Sequence, residues 1–176
     1  MTELLLVRHG ETDWNADGRL QGQTDRPLND YGRRQARLLA EELAHEGLQA
    51  IYSSDLARAQ ETAEIVGLRL GLPVALDADL REKDWGTWEG LSAVERDRTE
   101  FVGESTEEHQ ERILRAVQRI AERHPNGGRV LIVTHGGSMR RVQTAALGVA
   151  LPVVENCGRW LCAYEHGAFR PLEQNG

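Results

Sequence analysis

The sequence has little lysine and little cysteine, and each scarcity excludes a class of protein. Lys83 is the only lysine among 21 basic residues, and no Gly-x-x-x-x-Gly-Lys-Ser/Thr stretch occurs. A P-loop nucleotide enzyme is therefore excluded. Cys157 and Cys162 are the only cysteines, without a Cys-x-x-Cys spacing. We expect two structural thiols in a reducing compartment rather than a disulfide framework.

The chain also lacks long apolar runs and an excess of positive charge. No run approaches the about 20 apolar residues needed to span a bilayer. The segment 1–11 has neither a basic leader nor a cleavage site, so we expect no signal peptide and a cytoplasmic location. Twenty-eight acidic against 21 basic residues give a net charge of −7. This charge argues against nucleic acid or an anionic membrane as a partner.

The order of apolar segments predicts the fold class. At 176 residues, the chain has the length of a single domain, expected over 1–176. Strand-like runs alternate with helical segments, which predicts an α/β three-layer sandwich: a mostly parallel sheet with helices on both faces. The predicted strands are 4–7, 48–53, 73–76, 129–134, 156–165 and 168–172. The predicted helices are 30–46, a segment to 70 capped by Asp55, 105–124, and one that follows Gly136-Gly137 and reaches 147.

Basic side chains follow three of the predicted strands. Arg8 and His9 end the first strand, Arg58 lies in the first turn of the helix after the second, and His135 follows the strand 129–134. Ligands of such sheets bind beyond the carboxyl ends of the strands. Each histidine alone is typical of a satisfied core or loop residue, and Arg58 alone of a surface helix residue. Together they predict an anion site, most simply for a phosphoryl group.

A metal site is not expected from these residues. The sequence has no His-Glu-x-x-His or Asp-x-His spacing. Arg8 beside His9 also repels a cation. We therefore expect catalysis without a metal.

Five ordered motifs carry a resemblance to a known family. They are Leu6-Val7-Arg8-His9-Gly10-Glu11-Thr12 continued by Trp14-Asn15, Gly18-Arg19 and Gln21-Gly22, then Ser53-Ser54-Asp55-Leu56-Ala57-Arg58-Ala59, Leu80-Arg81-Glu82 with Gly86-Thr87-Trp88-Glu89-Gly90, Gly103-Glu104-Ser105, and Val133-Thr134-His135-Gly136-Gly137. Together, over residues 4–147, the pattern resembles the histidine phosphatase superfamily, the phosphoglycerate-mutase-like group. The resemblance implies a phosphoglycerate-mutase-like fold.

The resemblance also implies a role for each matching residue. His9 is similar to the nucleophile that becomes a phosphohistidine, and Glu82 to the general acid and base. Arg8, Arg58 and a protonated His135 match the groups that hold the phosphoryl oxygens. Further substrate contacts are implied for Asn15, Gln21, Gly22 and Gly136. Nearby arginines should lower the pKa of His9, and Trp85 and Trp88 are candidates for an apolar wall beside Glu82.

The segment 83–104, expected to cover the pocket, separates two activities. The mutases of the group have a longer, more basic segment here, so the short cover predicts a wetter pocket and a phosphomonoesterase of a small phosphorylated metabolite. The length resembles that of α-ribazole-phosphate phosphatases, but their cover is longer and no substrate is assigned. The alternatives are a phosphoglycerate mutase, with 2,3-bisphosphoglycerate as cofactor, and a phospho-ligand binding protein without turnover.

Two further expectations concern surfaces. The C-terminal hairpin offers an edge strand for a possible homodimer, although nothing in the sequence requires one. Four histidines outside the motifs are predicted to be surface residues: His45, His109, His124 and His166.

Overall fold

A computed structural model describes residues 1–172, and its secondary structure follows the predicted alternation. The strands are β1 (Thr2–Arg8), β2 (Leu48–Ser53), β3 (Val74–Leu76), β4 (Arg129–Thr134), β5 (Arg159–Glu165) and β6 (Ala168–Pro171). The α-helices are α1 (Asp13–Ala16), α2 (Asp30–Glu42), α3 (Ala57–Leu70), α4 (Ala93–Arg96), α5 (Thr106–Glu122) and α6 (Gly136–Leu147). Single 3₁₀ turns occur at Leu43–His45, Ala78–Leu80 and Gly86–Trp88.

The six strands form one sheet in the order β3-β2-β4-β1-β5-β6. The first four strands in this order pair in parallel. Strand β5 is antiparallel to its neighbour β1, and β6 is antiparallel to β5. Strand β1 contributes to both cores of this sheet, because successive side chains point to opposite faces. Leu4 and Leu6 pack with α5 and α6, whereas Leu5 and Val7 pack with α2 and α3. The predicted α/β fold, with helices on both faces of a mostly parallel sheet, is confirmed.

Helix boundaries follow local capping chemistry. Asn29 accepts a hydrogen bond from the Gly32 amide at the start of α2, and Ser105 forms a capping box with Glu108 at the start of α5. Gly71 ends α3 in the left-handed region at φ 70°. Helix α2 is shorter than predicted, because 43–45 tighten into a 3₁₀ turn.

The predicted cap of α3 was wrong. Asp55 does not cap the helix, because its carboxylate accepts two hydrogen bonds from Arg81, at 2.6 and 2.7 Å. The amide of Ala57 instead donates to Asp25 Oδ1 at 2.7 Å. A loop distant in sequence thus supplies the cap, and Asp55 ties α3 to the segment that carries Glu82.

The sheet has two edge strands, β3 and β6. Strand β3 is a short edge, and β6 is the opposite edge, formed by a hairpin that turns at His166 and Gly167, both with positive φ. The hairpin is where it was predicted, and the homodimer stays a prediction. Within residues 1–172, no helix combines the length and apolar character needed to cross a bilayer.

Strand register brings the basic motifs together. Arg8 of β1 pairs with Thr134 of β4, and Ser53 of β2 pairs with Val133 of β4. The three strands therefore end at one edge of the sheet. The residues that follow each strand enclose a common space beyond that edge.

Candidate active site

A cavity of about 230 Å³ lies beyond the strand ends. Eight of the nine predicted site residues line it: Arg8, His9, Asn15, Gln21, Gly22, Arg58, Glu82 and Gly136. Five further residues complete the lining: Arg19, Leu20, Trp85, Gly137 and Val153. The predicted residues are thus brought together from five separate parts of the chain.

His9 lies at the base of the cavity and is only 2 % exposed. Its Nδ1 is 2.7 Å from the carbonyl oxygen of Gly10. Because a carbonyl only accepts, Nδ1 carries the proton, and Nε2 of the neutral ring has the free lone pair. Burial lowers the pKa of His9 well below its usual value, and the charges of Arg58 and Arg8 lower it further. At neutral pH His9 is a neutral imidazole, the form that can act as a nucleophile.

Arg58, which is buried, and Arg8, which is half-buried, place two positive charges beside His9. Arg58 is 1 % exposed, and its terminal nitrogens donate to the carbonyls of Gly22 and Thr24 at 2.6 and 3.0 Å. Arg8 donates to the carbonyl of Val154 at 2.8 Å. Burial lowers the pKa of Arg58 to about 10, so it remains charged at neutral pH. The guanidinium groups are thereby fixed before any ligand arrives.

Each of these arginines keeps one donor without a protein partner. Within residues 1–172, Nε of Arg8 and Nε of Arg58 are buried and make no hydrogen bond. A buried N–H that stays unpaired is costly, and an anion is the natural acceptor for two such cationic donors. Unpaired Nε atoms also occur in Arg26, Arg96 and Arg140, which do not line the cavity, so the predicted phosphoryl site is supported mainly by the two guanidinium charges beside His9.

His135 lies behind His9 rather than in the cavity wall. It is fully buried, its ring centroid is 5.2 Å from that of His9, and its Nε2 is 2.9 Å from Ser54 Oγ. Burial lowers its pKa well below the usual value, and the charge of Arg58 acts in the same direction. The expectation of a protonated His135 is therefore wrong for the protein by itself.

Glu82 also lines the cavity, with 14 % of its side chain exposed. Its Oε1 accepts from the backbone N–H of Lys83 and its Oε2 from that of Gly137, both at 2.9 Å. A Cβ at Gly137 would collide with this carboxylate. Glycine at this position therefore allows α6 to approach Glu82 closely.

Asn15 and Gln21 line the cavity, and the amide oxygens of both side chains accept hydrogen bonds from protein groups. Asn15 Oδ1 accepts from the Thr12 amide at 3.1 Å and from Asn156 Nδ2 at 3.2 Å. Gln21 Oε1 accepts from Thr12 Oγ1 at 2.6 Å. Both side chains are left with their NH₂ donors for a ligand, which suits an anionic one.

The cover segment 83–104, which follows Glu82 in the chain, contributes one side chain to the cavity. That side chain is Trp85, which stacks on Trp88 at 6.1 Å and contacts Phe101. Trp88 stands behind Trp85 and does not line the cavity, so only half of the predicted apolar wall is present. Lys83 turns away, with Nζ 4.3 Å from the Trp85 ring centroid and 3.3 Å from Thr106 Oγ1. No basic residue of the cover lines the cavity.

Comparisons with known proteins agree with this geometry. The sequence pattern of the histidine phosphatase superfamily, branch 1, matches residues 4–175. The chain belongs to this superfamily. Phosphoglycerate mutase-like protein 4 of Arabidopsis thaliana is 41% identical over 163 residues, which cover 82% of this chain and 70% of that protein.

Two further relatives of this chain have names that specify a reaction. The metal-independent phosphoserine phosphatase of Arabidopsis thaliana is 38% identical over 81% of this chain and 67% of its own. The structure of a mycobacterial glucosyl-3-phosphoglycerate phosphatase with inorganic phosphate has a TM-score of 0.87 at 29% identity, covering 100% of this chain and 98% of that one.

Sequence reasoning did not assign five residues to this site: Arg19, Leu20, Gly137 and Val153 in the lining, and His109 beside Glu82. Val153 lies in a segment without an interpretable period, and Arg19 was noted only as part of a motif. His109, predicted to be a surface residue, is 2 % exposed and has its Nε2 3.7 Å from Glu82 Oε1. Its place in the first turn of α5 gave no signal, because the partners that bury it lie on other elements.

The donor set of the site does not resemble a metal centre. Within residues 1–172, no group of three or more His, Cys, Asp or Glu side chains is arranged to hold a metal ion. Burial raises the pKa of Cys157 and of Cys162 to about 12, so neither thiol is ionised at neutral pH. The chemistry of the site rests on imidazole, guanidinium and carboxylate groups.

Proposed function

We propose that this chain is a metal-independent phosphomonoesterase that acts on a small phosphorylated metabolite through a phosphohistidine. The proposal rests on one observation above all: neutral His9, with Nδ1 held by the Gly10 carbonyl, lines the same cavity as Glu82, Arg8 and Arg58. The phosphatase names of the relatives support the same reaction class.

The reaction proceeds in two steps with balanced proton transfer. In the first, His9 Nε2 attacks phosphorus, a P–N bond forms, and the ester P–O bond breaks. Protonated Glu82 gives its proton to the leaving oxygen. In the second, water attacks the phosphohistidine, Glu82 takes the proton, and phosphate leaves. Arg8 and Arg58 bind the phosphoryl oxygens throughout, where negative charge spreads in the transition state.

The shape of the cover favours hydrolysis over phosphoryl transfer to a second substrate. A mutase must hold a bisphosphorylated intermediate, whose added negative charge calls for further cations. The cover supplies Trp85 but no basic side chain to the cavity. A relative is nevertheless named phosphoglycerate mutase-like, so the experiment below includes the mutase reaction.

We also propose that the leaving group has a carboxylate. Arg19 is the third cationic side chain of the lining, and its Nη1 donates to the Gly90 carbonyl at 2.6 Å. The two proteins named after phosphatase reactions act, by their names, on phosphoserine and glucosyl-3-phosphoglycerate, and both compounds contain a carboxylate. Arg19 is a fitting partner for such a group.

The first experiment measures products with EDTA present. Purified protein is incubated with 3-phosphoglycerate, with and without 2,3-bisphosphoglycerate, and both inorganic phosphate and 2-phosphoglycerate are followed. p-Nitrophenyl phosphate serves as a generic ester, and His9→Ala is compared with His166→Ala, an exposed histidine away from the cavity. We expect phosphate release that His9→Ala abolishes and His166→Ala preserves.

The other outcomes are equally decisive. Rapid 2-phosphoglycerate formation that depends on 2,3-bisphosphoglycerate would make the protein a mutase. An inert wild type that binds phosphate, together with a His9→Ala variant that binds it equally well, would identify a binding protein. Activity that EDTA removes and a metal restores would overturn the metal-independent mechanism.

A further inference from the structure

His109 lies directly behind the carboxylate of Glu82. It occupies the first turn of α5 and is 2 % exposed. Its Nε2 is 3.0 Å from Ser138 Oγ on α6 and 3.7 Å from Glu82 Oε1. A buried histidine in contact with a carboxylate at the reaction centre calls for an explanation beyond packing.

The hydrogen-bond network fixes the direction of the His109 proton. Ser138 Oγ is also 3.1 Å from the carbonyl oxygen of Arg81. A carbonyl only accepts and a hydroxyl has one proton, so both contacts are hydrogen bonds only if Ser138 donates to Arg81 and His109 Nε2–H donates to Ser138. The positive end of this N–H therefore also lies beside Glu82 Oε1.

Arg112 holds the backbone on either side of Glu82 through hydrogen bonds. Arg112 donates to the carbonyls of Asp79 and Arg81 at 2.9 Å and to that of Glu82 at 3.2 Å. Its guanidinium is also paired with Glu104. The main chain at Glu82 is thereby fixed, and His109 with Ser138 fills the space against which its side chain rests.

We propose that His109 is a positioning residue for Glu82, which it orients toward the cavity with a neutral Nε2–H donor anchored on Ser138. This inference rests on the proposed function, because it requires Glu82 to be the general acid. An aliphatic residue of similar volume would fill the same space, but it would leave Ser138 without its donor and Glu82 without the neighbouring dipole.

Other charged groups surround this pair, and none of them replaces the His109 donor. Burial lowers the pKa of His109, so it acts as a neutral donor at neutral pH rather than as a counter-ion. The charged or titratable groups that face Glu82 or His109 from the neighbouring elements are Arg8, Arg58, Lys83, Glu104, Arg112, His135 and Arg141. All of them remain in the variants proposed below.

The test compares esters that differ in their need for an acid. An alkyl phosphate has a poor leaving group that must be protonated, whereas p-nitrophenyl phosphate leaves without a proton. His109→Leu removes the donor at similar volume, and His109→Gln keeps one. We expect His109→Leu to lower kcat/KM for the alkyl phosphate about tenfold, a part of what a general acid contributes. The value for p-nitrophenyl phosphate should change far less, and His109→Gln should restore much of the loss.

The pattern across the two esters and the two variants separates positioning from a structural role. Equal losses for both esters, with no advantage of Gln over Leu, would overturn the proposal, as would unchanged kinetics. Glu82→Gln separates failure of this inference from failure of the proposed function. If Glu82→Gln does not selectively slow hydrolysis of the alkyl phosphate, Glu82 is not the general acid, and the proposed function fails together with the role of His109.

Discussion

The backbone N–H of Gly137 donates a 2.9 Å hydrogen bond to Oε2 of Glu82. This contact joins the first turn of α6 to Glu82, the second residue after the Ala78–Leu80 turn. It exists because glycine leaves room for the carboxylate. The orientation of Glu82, the proposed acid, therefore depends on the absence of a side chain at residue 137.

A methyl group at Gly137 tests this dependence. The collision in Gly137→Ala is with the far end of a flexible side chain, so Glu82 should move while the backbone stays. We expect kcat/KM for an alkyl phosphate to fall about a hundredfold, as for loss of a general acid. Stability should not fall, since alanine is a better helix former than glycine. Thermal unfolding and steady-state kinetics check both expectations.

The double variant Glu82→Gln/Gly137→Ala is the control for this mechanism. If Gly137→Ala acts by displacing Glu82, adding it to Glu82→Gln should cost little more. Fully additive losses would show that Gly137 acts through something else, such as direct contact with the phosphoryl group.

Short-range signals account for the parts of the molecule that the sequence predicted. The apolar run 4–7 indicates a strand buried on both faces, and the capping box at Ser105 marks the start of α5. The strand-end rule then places Arg8, His9 and Arg58 at one edge without knowledge of any contact. Each of these inferences needs only neighbours in sequence.

The parts that escaped prediction depend on partners far away in sequence. Asp55 looks like a helix cap until Arg81 is known to lie beside it. His109 looks exposed until Ser138 and Glu82 enclose it. The charge state of His135 likewise follows from burial next to two arginines, which no local pattern conveys.

Burial of neutral histidines predicts how stability depends on pH. The pKa of His9 and that of His135 are lowered in the folded protein, so below about pH 6.5 the unfolded chain binds protons that the folded one does not. Their contribution is fully present above about pH 6.5 and is lost as the pH falls. Each such histidine adds a slope of up to about 1.4 kcal/mol per pH unit. Urea unfolding at several pH values measures it.

Two variants distinguish this origin from general acid denaturation. His9→Gln removes one buried titratable ring and should make the slope between about pH 5 and 6.5 shallower. His166→Gln removes a ring that is 82 % exposed and should leave the slope unchanged. Equal slopes in wild type and His9→Gln would contradict the neutral buried state of His9.

Arg19 tests the proposal that the leaving group has a carboxylate. Its side chain is 42 % exposed, is 3.6 Å from Glu95, and belongs to the lining of the cavity. Arg19→Gln keeps a donor for the Gly90 carbonyl but removes the charge. We expect kcat/KM for phosphoserine or 3-phosphoglycerate to fall about tenfold, the equivalent of roughly 1.4 kcal/mol. Phenyl phosphate, which has no carboxylate, should be hydrolysed as before.

Arg37→Gln is the matched control, because Arg37 is an exposed arginine of α2 that does not line the cavity. It removes the same charge from the protein, so any effect of net charge on the capture of anionic substrates appears in both variants. A loss confined to Arg19→Gln and to the carboxylate esters would locate the carboxylate subsite at Arg19. Equal losses for phenyl phosphate would instead show that Arg19 supports the phosphoryl site. Leu20, Trp85 and Val153, which also line the cavity, would then be the candidates for contact with the leaving group.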